Sequence, residues 1–415
     1  MKKTAVLFPG QGSQYVGMGK KQLINSDIAS LLFNQASNIL GYDLQQLCFN
    51  GSINELTDTA ITQPAVFVTS VAIYETLKSN LPIPQFMAGH SLGEYTALTC
   101  SGALEFIDAL QIVQKRGILM KQAVTGSSGI MAAVNNIDAT VLEQVCESVS
   151  RRGNLVSVAA YNSSVQFVIS GHIPAIDEVS ECCRKLGAIV TRLKVSAPFH
   201  CSLMDSAAIE INAELQKYTL KTPCCKILSN VTGEPYKSTT QIIDGLTKQM
   251  TYPVKWLQSL QYLVTSQVGY FVEAGPGKVL KNILKKDLNI GAYSMDDDRD
   301  MDQLPDLLAK NIKTLSTTIS KSLGISMSIK NRNFNALEYH EGVIEPYREI
   351  KQLQNKLEAE QLLPTVADIN HAVTLFCKIL NAKKVEKQEK LYWLEQLFSE
   401  TGTSNLLPVF APQLQ

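Results

Sequence analysis

The chain has 415 residues, 45% of them hydrophobic and 18% charged, a composition typical of globular proteins and not of disordered ones. Lys plus Arg and Asp plus Glu both number 38, so the formal net charge is zero and gives no electrostatic case for nucleic-acid binding. A chain of this length exceeds the size at which one hydrophobic core keeps growing, so two or three structural units are expected.

The nine cysteines are odd in number, lack a C-x-x-C motif and include two adjacent pairs, which are poor frameworks for disulfides or for a metal such as zinc. No apolar stretch reaches the ~20 residues of a membrane-spanning helix. The apolar run at 4–8 is too short for the core of a signal peptide. The sequence therefore predicts a cytoplasmic protein with free thiols, no metal site and no membrane partner.

Two segments near the N-terminus follow the same pattern of buried strand, sharp turn and helix or loop. TAVLF (4–8) leads into the glycine-rich PGQGSQ (9–14), and PQFMAGHS (84–91) leads into the helix-like LGEYTALTCSG (92–102). A second helix, with apolar residues at helical spacing, is predicted over 104–124 and carries Arg116. This pattern indicates α/β architecture, with a large α/β-hydrolase-like domain.

Residues 129–196 follow the order βαββαβ, which predicts a small ferredoxin-like subdomain inserted into the large domain. The large domain then comprises residues 1–128 and 197–300. Its second part has predicted helices at 203–217, 240–248 and 278–286, and predicted strands at 226–230 and 269–275. Because clefts between domains are common ligand sites, the boundary is expected to lie near the chemistry.

The last part of the chain, 301–415, is predicted to be a helical C-terminal extension. The acidic run DDDRDMD (296–302) before it is interpreted as a solvated surface loop or the edge of the large domain. Three helical segments follow, at 345–361, 367–382 and 386–398. Trp393, Leu394 and Leu397 are expected to anchor a buried face, either against the large domain or against a partner.

Gly89-His90-Ser91-Leu92-Gly93 fits the nucleophile-elbow motif G-x-S-x-G and stands between a predicted strand and a predicted helix. The alternative is a structural turn, but the context favours a nucleophilic Ser91. A serine needs a base. His200, in SAPFHCSLM after the last strand of the small subdomain, is the best of five histidines, unless it is a buried structural residue. The side chain of His90 should point away from Ser91.

Several short segments together carry a resemblance to one family. They are FPGQGSQ (8–14), TQPA (62–65), GHSLGEY (89–95), QKRG (114–117), YNS (161–163), SAPFH (196–200), SNVTG (229–233), QMTYPVKW (249–256) and EAGPGKVL (273–280). In this order and spacing, residues 1 to about 300 resemble the malonyl-CoA:acyl carrier protein transacylases. This family includes the discrete acyltransferases that serve polyketide synthases in trans.

The resemblance implies that Ser91 is the nucleophile and His200 its base, with no acidic third member. The histidine would be oriented by the main-chain carbonyl of Gln249. The N–H groups of Gln11 and Leu92 would form the oxyanion hole. A phosphate-binding role for PGQGSQ is the alternative, but the loop lacks the third glycine of a dinucleotide fingerprint.

Four further residues are expected to contact the substrate. The guanidinium of Arg116 would hold the malonyl carboxylate bidentately, unless Arg116 is an ordinary surface residue of an amphipathic helix. Phe199 would crowd the α-carbon and disfavour methylmalonyl by only ~1–3 kcal/mol, unless it is a plain core residue. The resemblance also places Gln63 and Asn162 in this site.

The implied reaction is ping-pong malonyl transfer from malonyl-CoA to the phosphopantetheine thiol of an acyl carrier protein, for polyketide or fatty acid synthesis. It needs no metal and no organic cofactor. Two alternatives are an acyl hydrolase that clears carrier proteins and a non-catalytic carrier-protein adaptor. Arg116 argues against the first, and the presence of both Ser91 and His200 against the second. Four lysines would form a basic patch for the acidic carrier, or simply a solvated helix face: Lys278, Lys281, Lys285 and Lys286.

Overall fold

The structure, a computed structural model, describes residues 3–21, 26–78, 81, 84–123, 129–195, 197–360, 364, 366–401 and 410, without the side chains of 304–316 and 366–367. Within these residues, nine strands form two sheets. The strands are β1 (Lys3–Phe8), β2 (Phe86–Gly89), β3 (Gly129–Asn135), β4 (Val156–Tyr161), β5 (Gln166–His172), β6 (Ile189–Arg192), β7 (Lys226–Ile227), β8 (Val268–Glu273) and β9 (Tyr293–Ser294).

The larger sheet is parallel and has the strand order β7-β2-β1-β8-β9. Its central strand β1 is buried from Thr4 to Phe8, as expected of a continuous apolar run in a sheet covered on both faces. Phe8 pairs with Gly89, so β1 and β2 end side by side. Because ligands bind at the carboxyl ends of parallel strands, this register brings the loop at 9–14 beside the turn at Ser91. The predicted α/β architecture is confirmed.

Helices flank this sheet, and five of them were not predicted, the longest of the five being Thr59–Leu77. Thr59–Leu77 is buried from Thr62 to Tyr74 and contains Pro64. A helix that is apolar all round has no polar face, so its sequence lacks the periodicity that reveals amphipathic helices. The other helices of this unit are Asp27–Leu40, Leu44–Asn50, Ile53–Thr57, Leu92–Cys100, Phe106–Gln122, Asp205–Leu215, Thr239–Gln249, Trp256–Thr265 and Val279–Leu288.

The smaller sheet is antiparallel, with the order β4-β5-β3-β6, and carries the helices Ala139–Ser150 and Ile173–Lys185. Its own core includes Val134, Leu142, Phe167 and Val179. The sheet is tied to the rest of the unit by hydrogen bonds between β4 and Val254, from Tyr161 N–H to Val254 O (2.9 Å) and from Val254 N–H to Ala159 O (2.9 Å). The predicted crossings, at 124–128 and Ser196, lie outside the described residues.

One local prediction was wrong, because the strand expected over 226–230 stops at Ile227, so the chain at Asn230 is free to turn toward the elbow. Of the two interpretations of the acidic run, the edge of the large domain fits the structure, since the first compact unit ends at Met301. The solvated loop does not, because Asp298 begins the helix Asp298–Ser328 and the Asp300 side chain is buried. Lys281 Nζ forms an ion pair with Asp300, which offsets the loss of water around that carboxylate.

Most of the second compact unit is residues 302–415. Its described helices after Ser328 are Ala336–Tyr339, Glu345–Ala359, Val366–Ala382 and Lys387–Thr401, with a π-helical turn at His340–Ile344. Three of them lie over the segments whose apolar stripes predict helices. The unit has its own hydrophobic core, in which Leu394 and Leu397 are buried and Trp393 is partly buried. That this unit packs against the large domain stays a prediction. No described helix in the chain is long and apolar enough to cross a bilayer.

We expect Leu397→Ala to destabilise the C-terminal unit by about 2–5 kcal/mol, because it removes a side chain with no exposed surface and leaves a cavity. The matched control is Leu337→Ala in the same unit. Leu337 is 68% exposed, so its truncation should change the free energy of unfolding by less than about 0.5 kcal/mol. Urea denaturation followed by circular dichroism measures both, and equal effects of the two substitutions would contradict the described core.

Candidate active site

Ser91 stands at a strained turn between β2 and the helix Leu92–Cys100, with φ 52° and ψ −106°. The glycines around it are required by close packing of backbone. A Cβ on Gly89 would lie 1.8 Å from the carbonyl of Gly93, and a Cβ on Gly93 would lie 2.1 Å from Phe8 O. Because glycine has no Cβ, the strand and the helix can pack this closely, and the Ser91 side chain is left at the helix N-terminus.

Ser91 and His200 form a hydrogen-bonded pair. Ser91 Oγ lies 2.8 Å from His200 Nε2, and His200 Nδ1 lies 2.7 Å from the carbonyl oxygen of Gln249. A carbonyl can only accept, so Nδ1 carries the proton and Nε2 is left as an acceptor for the Ser91 hydroxyl. The imidazole is thus oriented by the main chain and has the tautomer that a general base requires.

Two effects keep His200 neutral. Burial, and then the positive charge of Arg116, lower the pKa of His200 to about 3, although the hydrogen bond to Gln249 opposes them. The base form therefore predominates at neutral pH, and Nε2 is available to take the Ser91 proton.

The Arg116 guanidinium is buried beside the nucleophile, with only 1% of its surface exposed. Nη1 donates to Gln63 Oε1 (2.7 Å), and Nη2 donates to Gln249 Oε1 (2.9 Å) and Ser91 Oγ (3.0 Å). Its carbon lies 5.3 Å from the centre of the Tyr95 ring. Within the described part of the chain, no carboxylate forms an ion pair with it. Burial lowers its pKa, but an arginine keeps its charge, so this buried cation has only neutral hydrogen-bond partners among the described residues.

These side chains line an open cavity of about 550 Å³ between the two sheets. Eight of the nine residues predicted for the site border it: Gln11, Gln63, Ser91, Leu92, Arg116, Asn162, Phe199 and His200. Gln249 is fully buried behind them. The loop at 9–14 is held against the elbow, since a Cβ on Gly10 would lie 2.4 Å from His90 O. The N–H of Leu92, first in its helix, has no carbonyl partner within that helix.

The remaining predicted residues occupy the cavity wall. Phe199 is 6% exposed and precedes His200, and Gln11 Nε2 donates to Thr59 Oγ1 at 3.1 Å. Asn162 Oδ1 lies 2.8 Å from His90 Nε2. The His90 ring is therefore engaged with the small sheet, and it does not form the hydrogen bond to Ser91 that a base would make.

Sequence reasoning missed two polar residues that hold the elbow. Asn230 Oδ1 accepts from Ser91 N–H (2.7 Å), and its Nδ2 donates to Gly89 O (2.7 Å). Glu94 is fully buried and accepts from Tyr236 OH (2.5 Å). Both belong to segments quoted for the family resemblance, SNVTG and GHSLGEY. Their presence there was the available signal.

The lysine patch is smaller than predicted. Lys278 pairs with Asp297 at 2.9 Å, and Lys281 pairs with Asp300, so these two charges are locally neutralised. Lys285 is exposed, and Lys286 is exposed at the border of the cavity. Only the second half of this helix offers cationic groups without a described ion pair.

Comparison with known proteins agrees with this geometry. The family described as "Acyl transferase domain" matches residues 6–318. A malonyl CoA-acyl carrier protein transacylase of Bacillus subtilis is 36% identical over 396 residues, covering 94% of this chain and 99% of the relative. The one from Escherichia coli strain K12 is 39% identical over 288 residues, covering 69% and 93%.

Solved structures of transacylases are also similar to this chain. FabD from Acinetobacter baumannii has a TM-score of 0.71 and 35% identity, covering 74% of this chain and 99% of its own. The complex titled "PlMCAT:AntF (holo): type II PKS acyl-carrier protein in complex with its malonyl-transacylase" has a TM-score of 0.70 and 34% identity, covering 73% and 98%.

The fold and the comparisons define an acyltransferase. The chain belongs to the acyl transferase family and, within it, to the malonyl-CoA:acyl carrier protein transacylases. The resemblance was expected to end near residue 300. The Bacillus subtilis relative extends it, because an alignment over 94% of this chain includes most of the helical extension.

We expect the rate at which acetyl-CoA acylates the enzyme to stay constant from pH 8 down to about pH 5. With its pKa near 3, His200 is protonated only well below this range, whereas an ordinary histidine near 6.5 would lose the base form within it. Acetyl-CoA is the substrate because it has no carboxylate to alter the charge beside His200. Rapid-quench mass spectrometry measures the rate, and a tenfold fall per pH unit below about 6.5 would contradict the prediction.

Proposed function

We propose that this protein transfers a malonyl group from malonyl-CoA to the phosphopantetheine thiol of an acyl carrier protein through an O-malonyl-Ser91 intermediate. The observation that carries the proposal is the position of Arg116. A buried cation with no ion-pair partner among the described residues lies 3.0 Å from Ser91 Oγ, within reach of a carboxylate on the acyl chain bound there. A guanidinium fork is the side chain best matched to such a carboxylate.

In the first half-reaction, Ser91 Oγ attacks the thioester carbonyl while His200 Nε2 takes the hydroxyl proton. The tetrahedral oxyanion would be held by the N–H groups of Gln11 and Leu92, whose loop and helix end meet at the elbow. The C–S bond then breaks, and the coenzyme A thiol leaves with the proton from His200. In the second half-reaction the carrier thiol attacks the ester, and Ser91 regains its proton by the reverse path.

The acyl group passes between two thioesters and one ester, so each step exchanges one acyl bond for another and calls for no redox group or metal. Phe199 would leave little room for a methyl branch at the α-carbon, which favours malonyl over methylmalonyl. The support is its place in the cavity wall beside His200. This preference is limited to ~1–3 kcal/mol by the size of one methyl group.

The proposed partner is an acyl carrier protein, and we favour the carrier domains of a polyketide synthase over those of fatty acid synthesis. The support is the C-terminal extension, which goes beyond the 69% of this chain that the Escherichia coli relative covers, and a similar structure titled as a complex of a polyketide carrier with its transacylase. Lys285 and Lys286 would meet the acidic carrier, because they are the lysines of their helix without a described ion pair.

We also propose the finer description of the fold: an α/β-hydrolase-like domain (1–128 and 197–300), a ferredoxin-like subdomain (129–196) and a helical C-terminal extension (301–415). The support for the α/β-hydrolase-like domain is the parallel sheet with a serine elbow after β2. The support for the ferredoxin-like subdomain is the antiparallel order β4-β5-β3-β6 with its two helices.

We expect wild-type protein mixed with malonyl-CoA to gain one malonyl group in intact-mass spectra, and Ser91→Ala to gain none, because among the described residues no other hydroxyl is hydrogen-bonded to His200 Nε2. Adding a phosphopantetheinylated carrier protein should then move the group to the carrier. Release of malonate to water in place of transfer would indicate that the protein is an acyl hydrolase. The absence of an adduct on the wild-type protein would indicate a non-catalytic carrier-protein adaptor. Persistence of the adduct on Ser91→Ala would exclude this nucleophile.

We expect Arg116→Ala to lower malonyl transfer by at least about tenfold while leaving acetyl transfer unchanged or improved. Truncation strands the substrate carboxylate in a partly dry pocket, a loss of ~2–5 kcal/mol, and acetyl-CoA has no carboxylate to strand. Lys115→Ala, on the same helix with its charge exposed, is the control and should keep the malonyl:acetyl ratio. Equal losses for both substrates would mean that Arg116 supports the fold and does not bind the carboxylate.

A further inference from the structure

A buried carboxyl group near the nucleophile has no part in the proton transfers described above. Glu94 lies three residues after Ser91, on the same helix, and has no exposed surface. It forms no ion pair with any described residue. Its oxygens accept from Tyr236 OH (2.5 Å), from Asn230 N–H (3.2 Å) and from Gln249 Nε2 (2.5 Å). Burying a carboxylate costs more than burying a hydrophobic side chain of the same size, so stability alone does not account for it.

The Gln249 side chain connects Glu94 to Arg116. Its Nε2 donates to Glu94 Oε2 and to the carbonyl oxygen of Ser91 (2.9 Å). Its Oε1 accepts from Arg116 Nη2 (2.9 Å). The same residue orients His200 through its main chain, and that contact does not involve the amide. Gln249 therefore holds Arg116 through its side chain and His200 through its main chain.

The orientation of this amide depends on what faces it. An ionised carboxylate only accepts hydrogen bonds, so the nitrogen end of Gln249 must face Glu94 and the oxygen end must face Arg116. In the opposite orientation, Nε2 would face the donors of the guanidinium and push it away from Gln63 and Ser91. A neutral group at position 94 that both donates and accepts would remove this constraint and leave the amide oriented only by the Ser91 carbonyl and by Arg116.

We propose that Glu94 is a positioning residue for substrate selection: by orienting the Gln249 amide it fixes the Arg116 guanidinium where it binds an acyl carboxylate. The inference rests on the proposed function, since it assigns Glu94 to the malonyl selectivity of that same site. Glu94 touches neither the substrate nor the reacting atoms in this arrangement. It acts through one hydrogen bond to Gln249 and one from Gln249 to Arg116.

The charges around Glu94 agree with this role. Burial raises the pKa of its carboxyl to about 7, while the hydrogen bonds from Tyr236, Gln249 and Asn230 and the charge of Arg116 oppose the rise and so favour the ionised form. At pH 8 the group is mostly ionised, which is the state that orients the amide. The kinetic assays of the variants below should therefore be run at pH 8.

Glu94→Gln keeps the shape of the side chain and removes the acceptor-only character. We expect its KM for malonyl-CoA to rise by about tenfold, within the usual range of coupling between residues in one network, while kcat and KM for acetyl-CoA change by less than about threefold. Loss of the negative charge by itself would act in the opposite direction, by strengthening attraction between Arg116 and the malonyl carboxylate. An unchanged or increased malonyl:acetyl ratio would therefore overturn the proposal.

Tyr236→Phe is the matched control, because it removes a different hydrogen bond of the same buried carboxylate and leaves Gln249 in place. It should keep the malonyl:acetyl ratio within about twofold of wild type, whatever it does to the melting temperature. If Tyr236→Phe and Glu94→Gln lower the use of both substrates in parallel with stability, the network is only structural and the proposal is wrong.

Gln249→Met tests the same link should Glu94→Gln fail to fold, since it removes the amide and keeps the main-chain carbonyl that orients His200. We expect it to lower malonyl use more than acetyl use; acetyl use should fall as well, because the same amide donates to the carbonyl of Ser91. An unchanged malonyl:acetyl ratio would overturn the proposal. Where Glu94→Gln folds, the double variant should lower the malonyl:acetyl ratio no further than Gln249→Met alone, because Glu94 acts through that amide, and additive losses would overturn this path. Absence of a malonyl adduct on wild type would instead remove the proposed function, so the two failures are distinguishable.

Discussion

The site depends on the burial of one positive charge, that of Arg116, without a carboxylate partner among the described residues. Neutral amide oxygens from Gln63 and Gln249 accept hydrogen bonds from its Nη1 and Nη2 but do not cancel its charge. The uncancelled charge is second only to burial in keeping His200 neutral. The same charge makes the cavity complementary to an anionic acyl group. One buried cation therefore both lowers the pKa of His200 and gives the cavity a positive charge.

Backbone packing then sets the position of the nucleophile beside that cation. The parallel register ends β1 and β2 together, and glycines at 10, 89 and 93 allow loop, strand and helix to approach at distances that a Cβ would block. Asn230 and Gln249 donate to the carbonyls of Gly89 and Ser91 from chain segments far away in sequence. The strained φ of Ser91 is held by this surrounding structure.

The C-terminal unit is stabilised by its own interactions. Its helices enclose a separate hydrophobic core, and the Lys383 ammonium donates to the carbonyls of Ser326 (2.6 Å) and Ile329 (2.8 Å) where the long helix ends. The acyl transferase match ends at residue 318, whereas the Bacillus subtilis relative continues through most of this unit.

The sequence by itself determined the α/β class and the turn at Ser91, because these depend on short motifs whose local geometry is set by glycine, strand and helix patterns. It also nominated His200 and Arg116, which the structure places within hydrogen-bond distance of Ser91. It did not reveal the apolar helix Thr59–Leu77, which has no periodic polar face, or the pairing of the acidic run with Lys278 and Lys281. The contacts of Glu94 and Asn230 were decided only by the tertiary structure. Their partners lie 155 and 139 residues away along the chain, and hydrogen bonds over such separations exist only once both sheets and the helices around them are packed.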